Sequence, residues 1–164
     1  MSLDITDSDL PRLLPETLEK TVRGWLARSA GAMLVLVSLS GWLCLVTWSI
    51  GDPSLSRAAG QLPRNLLGPF GAIVSDLLLQ TLGIAALFAL AGPLFWGAEL
   101  FSARLIPRLR AKLVLFPVAV LAIAGGCSGL PTLPSWPLGS GFGGLLGDLV
   151  FNVCTTALAA LNPE

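Results

Sequence analysis

The side chains able to do chemistry are few, and they sit in apolar surroundings. Asp76 and Gln80 are four residues apart, as are Asp148 and Asn152 with Thr156 beyond them, and that spacing stacks each set on one helical face. A carboxylate at the centre of a bilayer costs about 2.5 to 3.5 kcal/mol on insertion scales, so it must face other helices, water or headgroups. Two chemistries follow for Asp76: a step in a proton or ion path, or a polar packing residue near the external interface in the first turns of its helix. No second carboxylate in a clear span offers a relay partner, which favours packing.

Other chemistries lack their residues. Histidine and tyrosine are absent, and Cys44, Cys127 and Cys154 stand alone in apolar stretches without a C-x-x-C pair. The sequence therefore argues against a Cys/His metal site and a disulfide framework, and it offers no catalytic residue and no cofactor site. Gly139, Gly141 and Gly144 spell G-x-G-x-x-G, but the dinucleotide meaning needs a preceding strand and a βαβ unit. Gly139, Gly143 and Gly147 also form two overlapping small-xxx-small spacings, which mark a tight helix contact.

These residues are positioned by membrane helices. Of 164 residues, 54% are hydrophobic and 12% charged, about half the charged share of a soluble domain. The fold class is all-α: a polytopic integral membrane helical bundle with three clear spans plus a fourth crossing or an interfacial helix. The spans are expected at about 30–50, 70–98 and 113–128, with 143–161 as the ambiguous segment. Between residues 70 and 98 the only ionisable side chain is Asp76, so one long helix is expected there, with Gly92 and Pro93 able to kink it near its inner end. The third span is short unless Arg110 and Lys112 snorkel to the surface. Segments 51–69 and 129–142 read as external loops, since proline and glycine recur in both. Asp52 before Pro53 reads as a local cap or Asx turn.

Orientation comes from the cations. Four Lys/Arg fall in residues 1–29 and four in 99–112, which places both segments in the cytoplasm with an even number of crossings between them. Residues 1–29 form a cytoplasmic N-terminal segment, and within it Leu18, Val22, Trp25 and Leu26 share one face of an amphipathic helix. That helix either lies at the interface or simply leads into the first span. Segment 143–161 either crosses with its Asp148–Asn152 stripe facing the bundle or lies on the external surface. No Lys or Arg follows it, which weakens the crossing.

The order of short motifs resembles the N-terminal four-helix membrane domain of FtsK/SpoIIIE-type bacterial DNA translocases. The motifs are 48–56 (WSIGDPSLS), 65–72 (NLLGPFGA) leading into 75–80 (SDLLLQ), 133–138 (LPSWPL) and 143–148 (GGLLGD). The resemblance covers roughly residues 24–161. It implies a module of the bacterial inner membrane that anchors a cytoplasmic ring motor at the division septum and contributes to its oligomerisation. It implies the bilayer, further copies of the chain and septal membrane proteins as partners. No G-x-x-x-x-G-K-[ST] phosphate loop occurs in this sequence, so this stretch by itself is not expected to hydrolyse ATP. Direct nucleic-acid contact is not expected either, because the cytoplasmic cations read first as topology determinants. The alternatives are a small polytopic transporter or channel subunit using Asp76 and Asp148, and a nonfunctional fragment left by truncation of a longer gene.

A pair of reporters fused after Glu164, one active only outside and one only inside, tests the last segment. A cytoplasmic signal means four crossings; an external signal means three, with 143–161 on the outer face.

Overall fold

The computed structural model describes residues 16–52, 62–102, 106, 108–132, 134, 136 and 138–161. These form five helices: α1 (Glu16–Val46), α2 (Gly68–Leu82), α3 (Ala85–Phe101), α4 (Leu109–Ser128) and α5 (Gly144–Leu161). The amphipathic stretch and the first span are one continuous helix. Nothing breaks the ladder between them, and the one polar residue at the join, Ser29, turns its hydroxyl back to the Leu26 carbonyl at 3.1 Å. The apolar residues Leu18, Val22, Trp25 and Leu26 are all exposed, so that face is free for lipid or another chain. At its other end α1 stops at Val46, where Thr47 and Trp48 close the last turn on the Leu43 and Leu45 carbonyls.

The helix expected over 70–98 is two helices. α2 and α3 meet at a bend of 111°. The cause is local: Gly83 takes φ +59°, a left-handed conformation open to glycine at little cost. Ile84 N–H then donates to the Phe142 carbonyl of the distant loop at 2.9 Å, not to the α2 turn before it. A carbonyl from outside the helix thus satisfies a backbone donor that the break exposes. Pro93 lies inside α3 without ending it.

The most extensive pairing is α1 on α3. A Cβ on Gly31 would meet the Gly97 carbonyl and Phe101, whereas one on Gly41 would meet Leu90. The two helices therefore run antiparallel, with backbones in direct contact at Gly31 and Gly97. This pairing brings the start of α1 to the end of α3. Lys112 of α4 also reaches Glu99 of α3, Nζ to Oε2 3.3 Å, so Arg23, Arg28, Arg108, Arg110 and Lys112 gather at one end of the bundle. The opposite end holds the 111° bend, the α1 to α2 connection and the start of α5.

α4 is longer than the expected third span. It begins at Leu109 and has 20 residues, about 30 Å at 1.5 Å per residue. Arg110 and Lys112 occupy its first turn, and the apolar part need not cover the whole thickness alone. Behind it, Val120 and Ala124 pack with Ala85, Leu82, Ala89, Phe116 and Ile123 into the small buried core. α5 touches the bundle through its first two turns, and from Phe151 to Leu161 every residue is exposed. Among the described residues three helices, 18–46 within α1, α4 and α5, are long and apolar enough to cross a membrane, and the bent α2–α3 pair passes the same test as a unit.

Gly83→Ala puts a Cβ at positive φ and against the Phe142 carbonyl. It is expected to cost at least about 1 to 2 kcal/mol. Gly126→Ala, in a helix interior with nothing within 4 Å of the new Cβ, is expected to stabilise by about 0.5 to 1 kcal/mol. Unfolding midpoints of the two variants in mixed micelles read both signs.

Candidate functional site

A helix end leaves its last carbonyls without intrahelical partners, and at the end of α1 other residues supply them. Asn65 Nδ2 donates to the Cys44 carbonyl at 2.9 Å. Thr47 Oγ1 donates to Leu43 O at 2.7 Å and accepts from Leu66 N–H at 3.3 Å. Asp52 then holds the returning chain: Oδ1 accepts from Arg64 N–H at 2.8 Å and Oδ2 from Asn65 N–H at 3.0 Å. Asn65 Oδ1 accepts from Leu67 N–H at 3.1 Å and so sets the first turn before α2. Asp52 and Asn65 are 6% and 4% exposed, a burial that makes each of these bonds costly to lose. Asp52 thus acts over a longer range than a local cap or Asx turn requires. Its partners lie 12 and 13 residues on, and it clamps α1 to α2. Gly71 belongs to the same clamp, since a Cβ there would overlap the Asn65 amide and Leu67.

The intramembrane polar residues are placed differently. Gln80 Nε2 donates to Asp76 Oδ2 at 2.8 Å, so the carboxylate is partnered within its own helix, half-buried. The fully buried stripe of α2 is Gly71, Ala72 and Ser75, one position round from the Asp76–Gln80 pair. Ser75 returns its hydroxyl to the Gly71 and Ala72 carbonyls at 2.8 and 3.1 Å. Asp148 is half-buried near Gly141, whereas Asn152 is exposed; the structure does not bring these two into one buried polar face.

Of the three glycines spaced for helix contact, two lie in one. Cβ atoms on Gly143 and Gly147 would collide with the Ala124 carbonyl and with Ser128 of α4, while around Gly139 nothing lies within 4 Å. Gly144, at φ +66°, meets Gly83 and Thr81. The two left-handed glycines thus interlock the α2–α3 bend with the start of α5. In the loop before α5, Trp136 donates from Nε1 to Ser140 O at 2.9 Å and stands edge-on to Phe142, centroids 4.6 Å apart. That places the Phe142 carbonyl beside Ile84.

Sequence reasoning missed the long-range role of Asp52 and Asn65, the backbone contact at Gly97 and the break at Gly83. A signal was present for the first: an aspartate before proline at a span exit and an asparagine before Leu-Leu-Gly-Pro are costly residues to place near a bilayer without partners. Gly97 and Gly83 carried none, because a lone glycine in an apolar run reads the same whether or not a backbone approaches it.

Apolar helices of membrane-crossing length, backbone-to-backbone glycine contacts and polar side chains used to join helix ends define a multi-pass helical membrane domain. Residues 20–162 match the pattern described as the 4TM region of DNA translocase FtsK/SpoIIIE. The chain belongs to that family. It is 37% identical over 129 residues to the DNA translocase FtsK of Agrobacterium fabrum, covering 79% of this chain and 14% of the relative. With the DNA translocase FtsK of Mesorhizobium japonicum it shares 39% identity over 138 residues, 83% of this chain and 15% of the relative. With that of Bradyrhizobium diazoefficiens the figures are 32% over 150 residues, 90% and 18%. The chain therefore spans less than a fifth of the length of these relatives. No solved structure matches it.

Asn65→Ala strips partners from the Cys44 carbonyl and Leu67 N–H, and is expected to cost about 1 to 3 kcal/mol. In a double-mutant cycle with Asp52→Asn the two changes should be non-additive by at least about 0.5 kcal/mol. Asp76→Asn, which can still accept from Gln80, should fall within about 0.5 kcal/mol of the wild type. Denaturant titration in mixed micelles measures all three.

Proposed function

We propose that this chain is the membrane-anchoring and self-association module of a DNA translocase that works at the bacterial division septum. The observation that carries the reading is the match of residues 20–162 to the 4TM region of DNA translocase FtsK/SpoIIIE. The long apolar helices give that match a physical sense. In this reading the motor lies in sequence outside these 164 residues, and the module holds it to the inner membrane.

Topology follows from charge. The antiparallel α1–α3 pair and the Lys112–Glu99 contact gather the cations of both basic segments at one end. The positive-inside tendency puts that end, and with it the N-terminus, in the cytoplasm. Self-association is supported by the apolar surface left over. Leu18, Val22, Trp25 and Leu26 of α1 and the residues of α5 beyond Phe151 are exposed. The Asp76 carboxylate, paired with Gln80, is a packing residue here and not an ion ligand.

A fluorescently tagged form should collect at mid-cell, and blue-native gels of the solubilised chain should show a species larger than the monomer. Monomer alone, with an even distribution around the cell envelope, would overturn the proposal.

A further inference from the structure

A groove of about 740 Å³ opens between α3 and α4 at the basic end of the bundle. Trp96, Leu115, Phe116 and Ala119 form its apolar wall, and Arg108 and Lys112 stand at its mouth. The wall is held in place by its own packing. The Phe116 ring fills the notch left by Gly92, where a Cβ would overlap it, and it meets Trp96 edge-on with centroids 5.1 Å apart.

The mouth is electropositive. Lys112 Nζ lies 3.3 Å from Glu99 Oε2, a bond that engages one of its three donors, and Arg108 is exposed beside it. Among the described residues Arg108 is also the one non-glycine with positive φ, at +52°. An arginine held in a sparsely populated backbone region, at the mouth of a groove, is the kind of local strain that accompanies ligand sites.

We propose that this groove binds an anionic glycerophospholipid, with an acyl chain along Trp96, Leu115 and Phe116 and the phosphate between Arg108 and Lys112. The inference rests on α3 and α4 lying in a bilayer. An apolar slot topped by cations suits an amphiphile whose charge and chain are joined end to end, and basic pockets between membrane helices recognise such headgroups. The volume lies within the roughly 300 to 1,000 Å³ usual for small-ligand sites. A second copy of the chain fits less well. The same end carries Lys20, Arg23 and Arg28 of α1 as well as Arg110, which with Arg108 and Lys112 outnumber Glu16, Glu19 and Glu99 there, so a symmetric pairing through it would set net positive surface against net positive surface.

The test uses the full chain in nanodiscs of phosphatidylcholine that contain a minor fraction of either brominated phosphatidylglycerol or brominated phosphatidylcholine. The Trp96 signal is the fluorescence difference between wild type and Trp96→Phe. Titrated over the same range of mole fractions at low salt, the anionic quencher should reach half-quenching of Trp96 at about fivefold lower mole fraction than the zwitterionic one for each cation engaged. Arg108→Gln and Lys112→Gln should each reduce that preference, and the double variant should abolish it. Arg108→Lys should retain it, and Glu99→Gln, which frees Lys112, should increase it. Equal quenching by the two lipids, or a preference unchanged in the double variant, overturns the site. So does a Trp96 that neither lipid reaches, which would mean that protein covers the groove. Co-elution with the nanodisc reports insertion separately, so a chain that fails to insert refutes the membrane reading itself.

Discussion

One backbone hydrogen bond, from Ile84 N–H to the Phe142 carbonyl, holds together the parts of this molecule that are far apart in sequence. A 111° break in an apolar helix exposes backbone groups that lipid cannot satisfy. The chain can turn there only because the loop before α5 returns to supply an acceptor. Gly83 and Gly144, both left-handed, let the two segments approach closely enough for that bond to form. With the bend made, α3 is free to run antiparallel to α1, while α2 is directed away from the α3 axis and α5 begins beside the bend. The junction joins α2, α3 and the start of α5.

The two ends of the bundle then use polarity in different ways. At the bend end, buried Asp52 and Asn65 join α1 to α2 through bonds to backbone, a use of polar groups that fixes where a chain returns without requiring a complementary side chain. At the other end, charge is exposed and mostly of one sign. Cations there set orientation through their distribution, and where they border the Trp96–Phe116 groove they also give it a chemical preference. Between the ends the contacts are made largely by glycine, alanine and serine. Dispersion between close backbones takes the place of the large hydrophobic core of a soluble domain, since lipid removes most of the drive to bury leucine and phenylalanine.

The chain belongs to the family of the 4TM region of DNA translocase FtsK/SpoIIIE, and the proposed anchoring role would use these features together. An anchor of the proposed kind would need helices that stay in the bilayer and exposed apolar surface for neighbouring copies. The polar residues described here are used at helix ends and within helices.

The amino-acid sequence alone determined the class of the protein, the approximate positions of its apolar segments and the grouping of its cations, because hydropathy and charge distribution are sums over local composition that survive any packing. It also carried the family motifs, among them the Asp52 and Asn65 segments. Tertiary structure decided the rest. A span of uniformly apolar residues proved to be two helices because φ at Gly83 and an acceptor nearly 60 residues away set its course. Asp52 became a clamp through donors 12 and 13 residues on. Gly143 and Gly147 lie in a helix contact while Gly139 does not, although all three share one spacing. Each of these outcomes depends on what stands opposite a residue, and periodicity along the chain holds no record of that.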